Sequence, residues 1–177
     1  DIVIKTIEAH TPIVLDADAL NILSENGAIA QMLSERDSPT IITPHPLEAA
    51  RLLKTTSDVI QANRLEAARE LARRFKAVAV LKGSGTVIAS PDGKTVINPT
   101  GNPALATAGT GDVLSGITGA LIAQGWPAWE ATLAAVWLHG KAADTLALRR
   151  HGPIGTVAGE LAPEVRLQLN LLVKRKT

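Results

Sequence analysis

Ala108-Gly109-Thr110-Gly111-Asp112-Val113-Leu114-Ser115-Gly116 is the stretch of this chain best suited to chemistry. Glycines let successive backbone N–H groups point into one concavity. A helix that starts there adds its positive end, so the turn favours an anion. Asp112 is out of place if anion binding is the only task, because a carboxylate repels phosphate. It makes sense as a base facing a substrate hydroxyl, with the phosphate alongside. An ordinary helix start with a first-turn acid accounts for Asp112 alone, but it leaves the glycine spacing unexplained. Two other phosphate motifs fail. A dinucleotide fingerprint needs a third Gly where Leu114 stands, and a Walker-type loop needs its Lys after the glycines, whereas Lys82 precedes Gly83 and Gly85.

Further residues suit a site around that turn. Lys82-Gly83-Ser84-Gly85-Thr86 is either a plain turn with a solvated Lys or a nucleotide contact, and the residues alone leave both open. The turn-rich loop Asn98-Pro99-Thr100-Gly101-Asn102-Pro103 leads into the anion site, or is a simple connector. His45 and Glu48 lie three residues apart across a turn; without a second His nearby they are a weak metal site, and Glu48 alone reads equally as a first-turn acid. Asp16 and Asp18 alternate along an extended segment and face opposite ways, so at most one points inward. His139, mid-helix in Trp137-Leu138-His139-Gly140-Lys141, reads as a packing or surface histidine, with Gly140, Ala142 and Ala143 small for close packing.

Strands and helices must bring these residues together. Residues 13–15, 40–43 and 77–81 read as buried strands, and 86–89 and 95–98 as two more joined by the turn Ser90-Pro91-Asp92-Gly93-Lys94. Helices are expected over 19–36 with a break at Gly27, from Pro46 to about 54, over 58–75, from about 111 to 124, from Pro127 to about 150, and over 163–174. In 58–75 the expected buried face is Val59, Ala62, Leu65, Ala68 or Arg69, and Ala72. The alternation predicts an α/β sandwich with a mostly parallel sheet, 78–81 central and the 90–94 hairpin at an edge. Ligands of such sheets sit beyond the carboxyl ends of the strands, where Asp16, His45, Glu48 and Lys82 fall.

Composition narrows the class. The 177 residues suffice for one domain with a core, and 46% hydrophobic residues exclude a disordered chain. No apolar stretch reads as a membrane span and no signal-peptide pattern opens the chain. Without cysteine there are no disulfides or thiolate metal sites, in keeping with a reducing, cytoplasmic setting. A net charge of +1, 2% aromatics and no Tyr argue against nucleic acid as partner. The chain opens on Asp1 and enters ordered-looking sequence at once, so it reads as part of something longer.

Leu15-Asp16-Ala17-Asp18-Ala19-Leu20-Asn21, Thr43-Pro44-His45-Pro46-Leu47-Glu48, Leu81 through Thr86, and Thr100-Gly101-Asn102 with Ala106 through Gly116 together resemble the ADP/ATP-dependent NAD(P)H-hydrate dehydratases. These are a branch of the ribokinase-like superfamily, and the resemblance runs from about residue 12 to 144. It implies one ribokinase-like α/β/α sandwich domain over 1–177, N-terminally incomplete. It implies repair of (6S)-NADHX and NADPHX: ADP or ATP phosphorylates the hydrate hydroxyl, phosphate leaves, and NADH or NADPH is restored. By this resemblance the nucleotide meets Lys82, Gly83, Ser84, Gly85, Thr86, Asn102, Ala108, Gly109, Thr110 and Gly111; the hydrate meets His45 and Asp112; Asp112 is the base; and Glu48 organises Mg²⁺ through water. Leu47 stands where family members commonly have Gly. Partners implied are a homo-oligomer, a companion fragment, or an NAD(P)HX epimerase domain in the same polypeptide. Two other readings remain: a ribokinase-like kinase for a hydroxymethylpyrimidine, thiazole alcohol or sugar, and a nucleotide-binding fragment without turnover.

Overall fold

Apolar runs too short for helices become the sheet. In the computed structural model, which describes residues 2–174, β1 (Ile13–Leu15), β2 (Thr40–Ile42) and β3 (Val78–Leu81) pair in parallel, with Val14 opposite Ile41 and Ile41 opposite Val78. β4 (Val87–Ala89) and β5 (Thr95–Ile97) complete the order β1-β2-β3-β4-β5 as an antiparallel hairpin. Only β4 runs backwards, so the sheet is mostly parallel in strand direction. β3 is its middle strand, buried at all four positions, and the hairpin lies at an edge, as the sequence predicts.

Side chains alternate between two cores, as the strand period of two requires. Ile42, Ala79, Leu81, Val87 and Ala89 join the first face. That face is covered by α1 (Ile2–Glu8), α2 (Asp18–Glu25), α3 (Gly27–Ser34), α4 (Pro46–Leu53), α5 (Ser57–Ala62) and α6 (Arg64–Phe75). Ile41, Val78, Val80 and Ile88 join the second face, under α7 (Thr110–Ala123) and α8 (Ala128–Arg149). α9 (Leu161–Lys174) packs on α8 through Leu161 and Val165. Helices on both faces make a three-layer α/β/α sandwich.

Two expectations need correction. The helix over 58–75 is two helices, broken at Asn63, whose backbone leaves the helical region. The break resets the helical phase, so Val59 and Leu65 stay exposed, and the buried face of α6 is Ala67, Ala68, Leu71, Ala72 and Phe75. α1 was not foreseen: seven residues carry little periodicity. A distant guanidinium, Arg36, secures its end by donating to the carbonyls of Ile7, Ala9 and Thr11. The break expected at Gly27 is set by Asn26, whose side chain accepts from the N–H groups of Ala28 and Ile29.

Candidate functional site

Parallel pairing puts the ends of β1, β2 and β3 on one edge. Thr43 donates its N–H to the Leu15 carbonyl at 3.1 Å, and Lys82 donates its N–H to the Pro44 carbonyl at 2.9 Å. Asp16, the Thr43-Pro44-His45 turn and Lys82 therefore form adjacent steps along that edge.

α7 starts over this edge. Gly109 holds φ at 82°, a left-handed conformation that side chains rarely adopt. Thr110 then turns its hydroxyl inward to the carbonyls of Leu105 and Thr107, at 2.7 and 2.9 Å, and pins the turn. The N–H groups of Gly111 and Asp112, in the first helical turn, have no intrahelical acceptor. Asp112 is exposed, and its carboxylate has no protein partner among the described residues.

The turn opens onto a cavity of about 370 Å³, within the range of small-ligand sites. Lys82, Gly83, Ser84, Gly85 and Thr86 form one wall, Thr100, Gly101 and Asn102 another, and Thr110 and Gly111 the end; Leu105, Leu114 and Val136 add an apolar lining. Arg64 shapes the first wall from behind. Its guanidinium donates to the carbonyls of Leu81, Lys82 and Gly85 at 3.0, 3.3 and 3.4 Å. A Cβ on Gly83 would come within 3.1 Å of that guanidinium, so this glycine makes room for the arginine. Asp144 holds the second wall, accepting from Gly101 N–H and Asn102 Nδ2, both at 3.0 Å. Thr100 seats against Gly140, where a Cβ would lie 2.3 Å from the threonine Oγ1. Gly140 is thus small for a loop, not for a neighbouring helix.

His139 lines the same cavity. It is buried, and its Nε2 has no hydrogen-bond partner. Burial pushes its pKa down to about 4; a hydrogen bond to the Thr110 backbone works the other way, and the Lys82 charge adds to the depression. The imidazole is neutral at ordinary pH. Reading His139 as a packing or surface residue missed this wall position, which only the crossing of α8 with the 98–102 loop reveals.

His45 and Glu48 sit at the start of α4, outside the lining of this cavity. His45 Nδ1 accepts from the N–H groups of Leu47 and Glu48 at 3.1 and 3.3 Å, and Glu48 Oε2 accepts from His45 N–H at 2.8 Å. This reciprocal pair is a capping box in which histidine replaces the usual hydroxyl residue. Leu47 points its side chain outward, half exposed. Asp16 turns inward to Lys82 and Ser115, while Asp18 stays exposed in the first turn of α2. The edge therefore gathers Lys82, Gly83, Ser84, Gly85, Thr86, Asn102, Thr110 and Gly111 around one cavity. Ala108, Gly109 and Asp112 border its α7 end without lining it. Arg64 and Asp144 carried no signal in the sequence beyond being charged residues of helices.

Comparison with known proteins follows the same edge. Residues 1–165 match the family described as NAD(P)H-hydrate dehydratase. The ADP-dependent (S)-NAD(P)H-hydrate dehydratase of Neisseria meningitidis is 49% identical over 171 residues, covering 97% of this chain and 57% of that protein. The bifunctional NAD(P)H-hydrate repair enzyme Nnr of Moorella thermoacetica is 49% identical over 152 residues, covering 86% of this chain and 28% of that one. Among solved structures, the ADP/ATP-dependent NAD(P)H-hydrate dehydratase from Bacillus subtilis, co-crystallized with ATP/Mg²⁺, superposes with a TM-score of 0.78 at 37% identity. That match covers 90% of this chain and 55% of the other. A ribokinase-like superfamily protein of Enterococcus faecalis aligns with a TM-score of 0.63 at 25% identity, and the sandwich is ribokinase-like. The chain spans about half the length of the Neisseria and Bacillus relatives. On the match of residues 1–165, it belongs to the NAD(P)H-hydrate dehydratase family.

Proposed function

We propose that the protein carrying this chain dehydrates NADH and NADPH hydrates, with ADP or ATP as phosphoryl donor. The observation that carries this reading is one juxtaposition: the free N–H end of α7 and the Lys82 ammonium close one end of the cavity, with the unpartnered Asp112 carboxylate beside it. The phosphates lie at that end. The adenosine lies along Gly83 to Thr86, whose glycines allow close backbone approach, and against Leu105 and Val136.

The steps balance. The hydrate hydroxyl attacks the terminal phosphorus, its proton passes to Asp112, and the P–O bond to the departing nucleotide breaks. The Gly109-Thr110-Gly111 turn holds the developing negative charge. Phosphate then leaves the ring carbon, driven by the ring nitrogen's lone pair. Loss of a proton from the neighbouring carbon restores the dihydronicotinamide. His45 borders the hydrate side of the edge.

Mg²⁺ belongs to this reading as charge neutralisation on the phosphates. The donor set suits an ion carried by the nucleotide: no group of three or more His, Cys, Asp or Glu that could hold a metal occurs among the described residues. Mg²⁺ commonly rests on one or two carboxylates and substrate phosphates and keeps several waters. Glu48 has both oxygens directed at His45 and is left to act through water.

A single domain over 1–177 is part of the proposal. So are a cytoplasmic setting, in keeping with a chain that lacks cysteine, and an epimerase domain in the same polypeptide, by analogy with the bifunctional relatives. No helix among the described residues is long and apolar enough to cross a membrane. The test is incubation with NADH hydrate, Mg²⁺ and ADP or ATP, following recovery of reduced-ring absorbance and free phosphate. A stable phosphate ester as product would make this another ribokinase-like kinase. Nucleotide binding without turnover would make it a binding fragment.

A further inference from the structure

Asp16, Lys82 and Ser115 form a cluster of which the proposed reaction uses only the Lys82 ammonium. Lys82 Nζ lies 2.7 Å from Asp16 Oδ1, and Ser115 Oγ donates to Asp16 Oδ2 at 3.0 Å. The Ala17 N–H donates to Asp16 Oδ1 at 2.9 Å. The two charged side chains are only 22% and 13% exposed. Burial raises the Asp16 pKa, but the hydrogen bond and charge of Lys82, with the bonds from Thr43 and Ala17, outweigh it and hold the carboxyl below its ordinary value. Asp16 is therefore a fixed anion with both oxygens occupied, which disqualifies it as a proton acceptor.

The place of the pair gives it meaning. A Cβ on Gly111 would lie 3.4 Å from both Asp16 Oδ2 and Lys82 Nζ, so the ammonium sits directly against the first turn of α7. A helix N-terminus carries partial positive charge and repels an ammonium. Lysine also has a flexible four-carbon stem and is strongly hydrated, so without a counter-charge it would swing into solvent. Ala17 holds φ at 48° and ψ at −116°, a conformation disfavoured for a side chain and found where the surroundings over-determine the backbone. It follows Asp16 directly and aims the Ala17 N–H at the carboxylate.

We propose that Asp16 is a positioning residue for phosphoryl transfer: it holds the Lys82 ammonium beside Gly111, so that the cation is in place when phosphate charge arrives. This rests on the reading of the site as a phosphoryl-transfer centre. Neither Asp16 nor Lys82 exchanges a proton; the pair supplies placed charge while the oxygen–phosphorus bonds form and break.

Asp16→Asn in the protein carrying this chain removes the charge and keeps an oxygen for Ser115 or Ala17. Misplacing a catalytic group by an ångström can cost about 100-fold, so kcat should fall roughly 10- to 100-fold while nucleotide Kd moves by less than about threefold. Asp18→Asn, which removes an exposed carboxylate two residues away and leaves the ion pair, should keep kcat near wild type. Lys82→Met should lose kcat, and adding Asp16→Asn to it should cost nothing more, since both act through one cation. An unchanged kcat in Asp16→Asn, additive losses in the double variant, or the same loss in Asp18→Asn would each overturn the proposal. Should Asp16→Asn fail to fold, Asp16→Glu decides: it keeps the charge, shifts the ammonium, and must lower kcat. Wild-type kcat in that variant rejects the idea. A wild-type protein that restores no NADH defeats the functional reading itself, which is a different result from active wild type with indifferent variants.

Discussion

Asp112 and His139 are two titratable groups at one cavity with opposite situations. Asp112 is exposed and unpartnered beside the α7 turn; on the proposed reading that turn binds the phosphates, so the Asp112 charge opposes nucleotide binding and serves only proton removal. Asp112→Asn should therefore leave ADP or ATP affinity near normal or improve it, while turnover falls by ~10²–10⁴, the usual contribution of a positioned base. Isothermal titration and steady-state rates on the same preparation separate the two; near-normal turnover would reduce Asp112 to a helix-start acid. His139 is buried, and its pKa is pushed from 6.5 to about 4. Its folded pKa lies below its unfolded one, so the unfolded chain binds the extra proton first. Stability is then full above pH 6.5 and declines as pH falls toward 4, by about 2–4 kcal/mol across the window. Asp16, whose carboxyl is held below 3.8, destabilises only at lower pH still. Denaturant melts between pH 7 and 4.5 should show this loss, and His139→Gln should flatten it. An equally steep slope in the variant would place the proton elsewhere.

The elements that build the site are held by residues whose role lies in geometry. Arg64 starts α6, yet its guanidinium ties together the carbonyls of Leu81, Lys82 and Gly85. Each hydrogen bond to a charged group is worth about 1.5–3 kcal/mol, and partly buried carbonyls left unpaired add cost. Arg64→Met keeps the stem and removes the fork. It should lower stability by about 2–3 kcal/mol by that measure and weaken nucleotide binding, because the 82–85 wall loses its backing; chemical melts and binding titrations read both. Gly140 and Gly116 make a matched pair. A Cβ at Gly140 meets Thr100 Oγ1 at 2.3 Å and its carbonyl carbon at 2.7 Å, whereas one at Gly116 meets nothing within 4 Å. Thr100 is fixed by its bond to the Trp137 carbonyl at 3.0 Å. Gly140→Ala should therefore cost at least about 1–3 kcal/mol through overpacking. Gly116→Ala, in an open helical position, should stabilise by up to about 1 kcal/mol. Equal melting temperatures for the two would contradict the packing described. The contrast explains what the sequence could reveal. β1, β2 and β3, the hairpin, α7 and α8 were legible because each is a local pattern: apolar runs, a turn with Gly93, and a glycine-rich helix start. Asp16, His45, Glu48 and Lys82 fell on one edge by the rule for parallel sheets. Arg64, Asp144 and the wall position of His139 join residues from 17 to 43 positions apart. No spacing rule encodes such pairs. Asn63, which splits α5 from α6, offered no glycine or proline to mark it.

At the scale of the whole molecule, the sheet ends in two unlike edges. β5 belongs to a hairpin, the usual way to finish a sheet, with Lys94 in its turn. β1 is a parallel strand paired on one side only among the described residues. Ile13 N–H bonds toward Pro39 and the Leu15 carbonyl toward Thr43, so by alternation the N–H and C=O of Val14 face the open side. Parallel strands normally lie inside a sheet with both faces covered, and an open strand edge is a template for pairing with another chain. A second surface also lacks a cover: an apolar groove of about 360 Å³ between β5, α8 and α9, lined by Val96, Trp126, Trp137, Leu169 and Leu172. We propose that the isolated 177 residues associate, and that the β1 edge drives it. The groove gains only apolar contact, whereas the edge also gains partners for backbone groups. Light scattering should give a mass above the 18.5 kDa of one chain, rising with concentration. Leu172→Glu, which puts a charge in the groove and leaves the backbone of β1 untouched, should keep that mass. A monomeric Leu172→Glu variant would assign association to the groove. A wild-type chain that stays monomeric at high concentration would mean that water alone satisfies the Val14 edge.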